Sequence, residues 1–175
     1  MTADLQPRSV ARPRQWMAAL VRTRPNQRSV DAALVVVRSA LAWVFMFYGA
    51  GKLFGWWNGP GLHVSADFFA HTAHLRPGGF FAVLGGLLEF GGAIAIALGL
   101  GVRLVGAALC ADMVLAMITV TWTNGIDSEK IPPGYELNLT LAALALVVVL
   151  LGAGRFSVDA LVERRLAANG DGSEQ

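Results

Sequence analysis

Apolar residues fall along the chain in four long runs, separated by short stretches that are polar or rich in glycine and proline. The runs cover about Ala32 to Phe54, Gly79 to Leu100, Val102 to Thr123 and Glu136 to Gly152. A bilayer core is crossed by roughly 20 mostly apolar residues in helix, within a range of about 17–25. Helix is the form such runs must take, because lipid offers nothing to satisfy free backbone N–H and C=O groups. The pattern therefore predicts an all-α protein, a four-transmembrane-helix antiparallel bundle. The connection near Gly99–Arg103 is very short, so the second and third runs form a tight hairpin. The longer connections, Gly55–Gly78 and Asn124–Tyr135, lie together on the opposite side.

Charge changes this picture by giving it a direction. Basic residues near spans collect on the cytoplasmic side. Arg8, Arg12, Arg14, Arg22, Arg24 and Arg28 precede the first run, Arg103 marks the hairpin, and Arg155, Arg164 and Arg165 follow the last run. The other side holds only Lys52, Arg76 and Lys130. The expected location is a bacterial plasma membrane, multi-pass, with N- and C-termini in the cytoplasm. Three parts are expected: an Arg-rich flexible cytoplasmic segment (1–29), a membrane domain (30–156) and a cytoplasmic tail (157–175). A short amphipathic turn at Trp16–Val21 would touch the interface. A helix is expected over Ser157–Leu166, with Ser157 as N-cap, and disorder after Asn169. The first run starts too far in and carries Arg38, which argues against a cleaved signal peptide.

Composition agrees with lipid as solvent: 55% of residues are hydrophobic and only 15% charged, against about a quarter charged in soluble domains. The single cysteine, Cys110, excludes an intramolecular disulfide or dithiol pair and reads as packing within an apolar stretch. There is no phosphate-binding loop, dinucleotide fingerprint or nucleophile elbow. Nothing suggests nucleic acid as a partner.

Ionisable groups inside the apolar runs carry the functional signal, since a charge in lipid costs at least about 2.5–3.5 kcal/mol. Glu89 and Asp112 lie near the middle of the second and third runs. Arg38 and Lys52 share one face of the first, and Glu136 opens the fourth. Glu89 is flanked at helical spacing by Gly85, Gly86, Gly92 and Ala93, a smooth face suited to close helix packing or to a slot for a flat ligand. Depth suggests Arg38 reaching toward Glu89 or Asp112, and Lys52 meeting Glu136 at the outer rim. Such pairs either brace the bundle or line a polar pocket that binds a quinone-like ligand and relays protons. In the outer loop, a helix over Leu62–Leu75 would put His63, Asp67, His71 and His74 on one face. That is a weak metal-ligand pattern, and the polar face of an interfacial amphipathic helix looks the same.

Several short motifs in fixed order carry a resemblance. They are Arg38, Phe47-Tyr48-Gly49-Ala50-Gly51-Lys52-Leu53, Leu87-Leu88-Glu89-Phe90-Gly91-Gly92, Leu98-Gly99-Leu100 with Arg103, Gly134-Tyr135-Glu136-Leu137, and Gly152-Ala153-Gly154-Arg155-Phe156-Ser157-Val158-Asp159. From about Arg38 to Leu161 the chain resembles the DoxX family of small four-helix membrane proteins. It departs in having Ala153 where a proline is expected. The resemblance implies a membrane component of an oxidoreductase system, linked to thiosulfate:quinone oxidation and to quinone or thiol stress responses. In actinobacteria it implies a protein that joins a superoxide dismutase and a sulfurtransferase at the membrane. It carries Arg38, Lys52, Glu89, Tyr135 and Glu136 over as the polar site.

Three functions follow as expectations. The first is a redox subunit that binds a quinone, whether or not it is itself catalytic; no other cofactor is evident, and its electrons would come from a partner. The second is a non-catalytic scaffold whose basic cytoplasmic tails recruit soluble redox enzymes. The third, ranked last, is a small transporter or chaperone. The glycine-rich second run also suits a homodimer, although the same glycines serve packing within the chain.

Overall fold

A computed structural model describes residues 26–170. The expectations for the Arg-rich segment before Asn26, for the Trp16–Val21 turn and for the chain end after Gly170 lie outside the described residues. The described chain is predominantly helical, with no strand among these residues. Three helical stretches are long and apolar enough to cross a membrane: Gln27–Phe54, Gly78–Leu98 and Val102–Asn124. A further apolar helix, Glu136–Leu151, has 16 residues.

Helix α1 (Gln27–Phe54) starts at Asn26, whose side chain accepts from the Arg28 N–H, and stops at Gly55 in the left-handed conformation. Helix α2 (Gly61–His71) follows a tight turn at Trp56–Asn58. Helix α3 (Gly78–Leu98) ends in a Schellman closure, with Gly99 N–H on Ile96 C=O and Leu100 N–H on Ala95 C=O. Gly99 has φ 73°, which glycine adopts without penalty. The chain turns at once into α4 (Val102–Ala116), which widens into a π-helical turn over Met117–Thr121 and closes with a tight turn at Trp122–Asn124. Helix α5 (Glu136–Leu151) and helix α6 (Val158–Gly170) complete the order.

The helices pack mainly as two antiparallel pairs, α1 on α3 and α4 on α5, with α2 laid against α3. Leu34, Leu41, Phe45, Ile96, Leu109 and Val148 form the shared core. The outward faces are apolar, with Trp43 76% and Leu104 79% exposed. A soluble monomer does not carry apolar surface on this scale, so lipid is the natural covering.

The α1–α3 crossing is set by Gly49. A Cβ there would overlap the Phe90 amide nitrogen and lie 2.9 Å from the Phe90 Cα, so the α1 backbone rests on the backbone of α3 at Glu89–Phe90. Gly49→Ala is expected to cost about 1–3 kcal/mol, the usual range for overpacking. The readout is the unfolding midpoint in detergent. Gly91→Ala, where a new Cβ meets nothing within 4 Å, should stay near wild type.

The segment after α5 is tied to the hairpin. Ser157 Oγ accepts from Ala160 N–H, as expected of an N-cap, and the helix it starts continues to Gly170. Asp159 accepts from Gly101 N–H (2.8 Å) and Val102 N–H (3.1 Å), satisfying orphan donors at the start of α4.

Candidate functional site

Two charged residues of α1 organise the two ends of the bundle, and neither does so with the partner expected from sequence. Arg38 is 3% exposed. Its Nε donates to Ile96 C=O, Nη2 to Ala97 C=O, and Nη1 to both Ala153 C=O and Phe156 C=O, all at 2.8–2.9 Å. Ile96 and Ala97 lie in the last turn of α3, where carbonyls lack an i+4 helical donor and the helix dipole favours a cation; the Ile96 carbonyl also takes the Gly99 N–H. Arg38 thus stitches the end of α3 to the segment between α5 and α6. It joins neither Glu89 nor Asp112, because Glu89 stands nine residues, about 13–14 Å of helix, before the end of α3.

Lys52 pairs with Glu89 instead of Glu136, Nζ to Oε1 at 2.6 Å. The cause is the direction of side chains on helices. Each Cα–Cβ bond leans toward its own helix N-terminus. The antiparallel α1 and α3 therefore lean Lys52 and Glu89 toward each other, and the close crossing at Gly49 brings them within reach. Glu89 is buried at 1% exposure, and its second oxygen, Oε2, has no hydrogen-bond partner among the described residues.

Beside this pair lies a cavity of about 110 Å³. Lys52, Glu89 and Asn138 give it one polar side, and Phe45, Met113 and Leu141 an apolar one. Half-exposed Tyr48 and Leu137 stand at its mouth. Asn138 accepts from Thr121 Oγ1 at 3.4 Å, while its amide nitrogen faces only the Met113 sulfur at 3.8 Å, a weak acceptor. The π-helical turn of α4 begins next to Ala116, which also lines the cavity, and such turns often mark functional sites. Asp112 is partly buried, its Oδ2 also lacks a partner among the described residues, and it is near enough to interact electrostatically with Lys52 and Glu89. Two carboxylates and one ammonium make a neutral set only when one carboxylate holds a proton.

Tyr135 and Glu136 stand apart from this cavity. The Tyr135 ring stacks on Trp122, with centroids 5.3 Å apart. Glu136 is exposed, and its N–H donates to Ile126 C=O as α5 begins. The expected Lys52–Glu136 pair is replaced by Lys52–Glu89. Nor does the histidine stripe hold together. Helix α2 ends at His71, and His74 lies beyond it with φ 56°. Asp67 and His71 form an exposed 3.5 Å contact, and no group of three metal-ligating residues occurs among the described residues. Asn138 and Met113 carry no mark in the sequence motifs, and Tyr48 stands in one of them without a site role. An amide two residues inside an otherwise apolar run was the available signal for Asn138.

The fold and site define a helical multi-pass membrane protein with a buried ion pair beside a small, mostly apolar cavity. The chain belongs to the DoxX family, whose model matches residues 33–122. No curated protein and no solved structure matches it.

Proposed function

We propose that this DoxX-family chain is the membrane subunit of an oxidoreductase system, and that the Lys52–Glu89 cavity receives the ring of a quinone. The observation that carries the reading is the orphaned Glu89 Oε2, held beside the Lys52 ammonium at the polar side of an otherwise apolar cavity. Quinones need this combination: donors for a carbonyl oxygen, an acceptor for a hydroxyl once reduced, and an apolar wall for the ring. Lys52 Nζ and the Asn138 amide supply donors, and the free Glu89 Oε2 supplies the acceptor. Size sets a limit. A 150 Å³ apolar cavity takes benzene, so about 110 Å³ admits one ring with some yielding of Tyr48 and Leu137, and leaves an isoprenoid tail among lipid chains. Electrons would come from a soluble partner.

In this reading α5 is the fourth crossing. Its 16 residues span about 24 Å, and Gly134–Tyr135 and Gly152 extend it toward both interfaces. Both chain ends then lie on one side, and the excess of arginines at that end makes it the cytoplasm. A reporter fused after Gly170 should be active only in the cytoplasm; a periplasmic signal overturns the topology.

The site is tested by mass spectrometry of small molecules that co-purify from native membranes. Wild type should retain a quinone, and Glu89→Gln should lose most of it. Equal absence from both, with soluble redox enzymes retained by both, would replace this reading with a scaffold.

A further inference from the structure

A second, larger cavity of about 900 Å³ opens at the hairpin end of the bundle. It is bordered by the start of α1, the α3–α4 hairpin and the first turns of α6. Arg103, Arg155 and Arg164 line it, all exposed, and none is in an ion pair among the described residues. Three carboxylates line it too, and two of them are already engaged. Asp31 accepts the Arg155 N–H at 3.2 Å, and Asp159 holds the Gly101 and Val102 N–H groups. Asp159 sits in the first turn of α6, where the dipole offsets a negative charge, whereas Asp31 lies beyond the first turn of α1. Glu163 remains, and faces solvent.

The formal charges on this lining balance at three of each sign, and the guanidiniums are its unpaired donors among the described residues. Leu151, on its wall, is also a wall of an apolar groove of about 210 Å³ between α1 and α5. The groove is lined by Val30, Ala33, Leu34, Val37 and Val147. A chamber with three unpaired guanidiniums that shares the Leu151 wall with an apolar groove matches an amphiphile with an anionic head and a hydrocarbon tail. Arginine suits phosphate oxygens through its planar fork of donors, and basic pockets between helix ends are a known mode of lipid-headgroup capture.

We propose that the hairpin end is a specific site for one anionic phospholipid, with its phosphodiester held by Arg103, Arg155 and Arg164 and an acyl chain in the α1–α5 groove. The site is separate from the Lys52–Glu89 cavity and does not depend on what that cavity binds.

Native mass spectrometry of the full chain in detergent, titrated with phosphatidylglycerol or phosphatidylcholine of matched chains, tests this. Wild type should keep one phosphatidylglycerol in clear preference to phosphatidylcholine. Arg103→Gln/Arg155→Gln should weaken phosphatidylglycerol by about thirtyfold, the equivalent of two arginine contacts at a lipid surface. Both arginines are exposed, so the fold should tolerate the change. Ala33→Trp, which fills the groove from an exposed position, should lower occupancy by either lipid and leave the headgroup preference intact. The arginines before residue 29 remain in every variant. A preference that survives Arg103→Gln/Arg155→Gln comes from them and overturns the site. Displacement of the lipid by millimolar inorganic phosphate, with Ala33→Trp silent, would assign a soluble phosphate site and overturn the lipid assignment.

Discussion

Arg38→Gln is expected to lower stability by about 4 kcal/mol or more, or to abolish recovery of a monodisperse protein in detergent. The guanidinium makes four charge-assisted bonds to carbonyls that have few other partners in the described fold. Bonds to a charged group contribute about 1.5–3 kcal/mol each, and a buried acceptor left empty adds a penalty. Arg38→Lys separates charge from geometry. An ammonium restores the cation at the α3 C-terminus, but its three donors leave a short stem and cannot reach two chain segments as a planar fork does. About half the loss should remain. Arg38→Lys protein that folds should bind a quinone as wild type does, since Arg38 lies outside the Lys52–Glu89 cavity. If Arg38→Lys melts with wild type, the fork is not what holds the end of α3.

The second large effect concerns the buried pair. Glu89→Leu strands the Lys52 ammonium and should cost about 3 kcal/mol, somewhat under a fully buried pair because the Lys52 side chain keeps 27% exposure. Lys52→Met should cost less, because the Glu89 carboxyl can take up a proton and become neutral. The double variant Lys52→Met/Glu89→Leu should recover most of the loss, within about 1 kcal/mol of wild type, since apolar replacements of a buried ion pair are often neutral. Unfolding midpoints of the four proteins in one detergent give the coupling between the two sites. Additive losses would mean that the two side chains do not act as a pair.

What sequence could reveal depended on whether a residue's role is set by its own run or by a neighbouring element. The three long helices and the hairpin at Gly99–Arg103 follow from apolar length and two glycines, both local properties. Glu89 and Lys52 stood out because charges inside apolar runs are costly. Their pairing did not, because it depends on side-chain lean in antiparallel helices and on the backbone contact at Gly49, which no one-dimensional depth estimate contains. Sequence points Arg38 to a carboxylate because acids are visible in it, whereas the acceptors are backbone carbonyls shared by every residue type. The roles of Asp31 and Asp159 are hidden for the same reason: their partners are backbone N–H groups of distant segments. His74 fell out of its stripe because α2 stops one turn early.

The most direct test is binding of a short-chain benzoquinone to wild type and to Lys52→Met/Glu89→Leu, by calorimetric titration in the same detergent. The double variant is expected to unfold near wild type and yet bind the ring at least tenfold more weakly, since the groups that hydrogen-bond it are gone while the bundle stands. Equal binding by two equally stable proteins would contradict the account and leave Lys52 and Glu89 as a brace between α1 and α3.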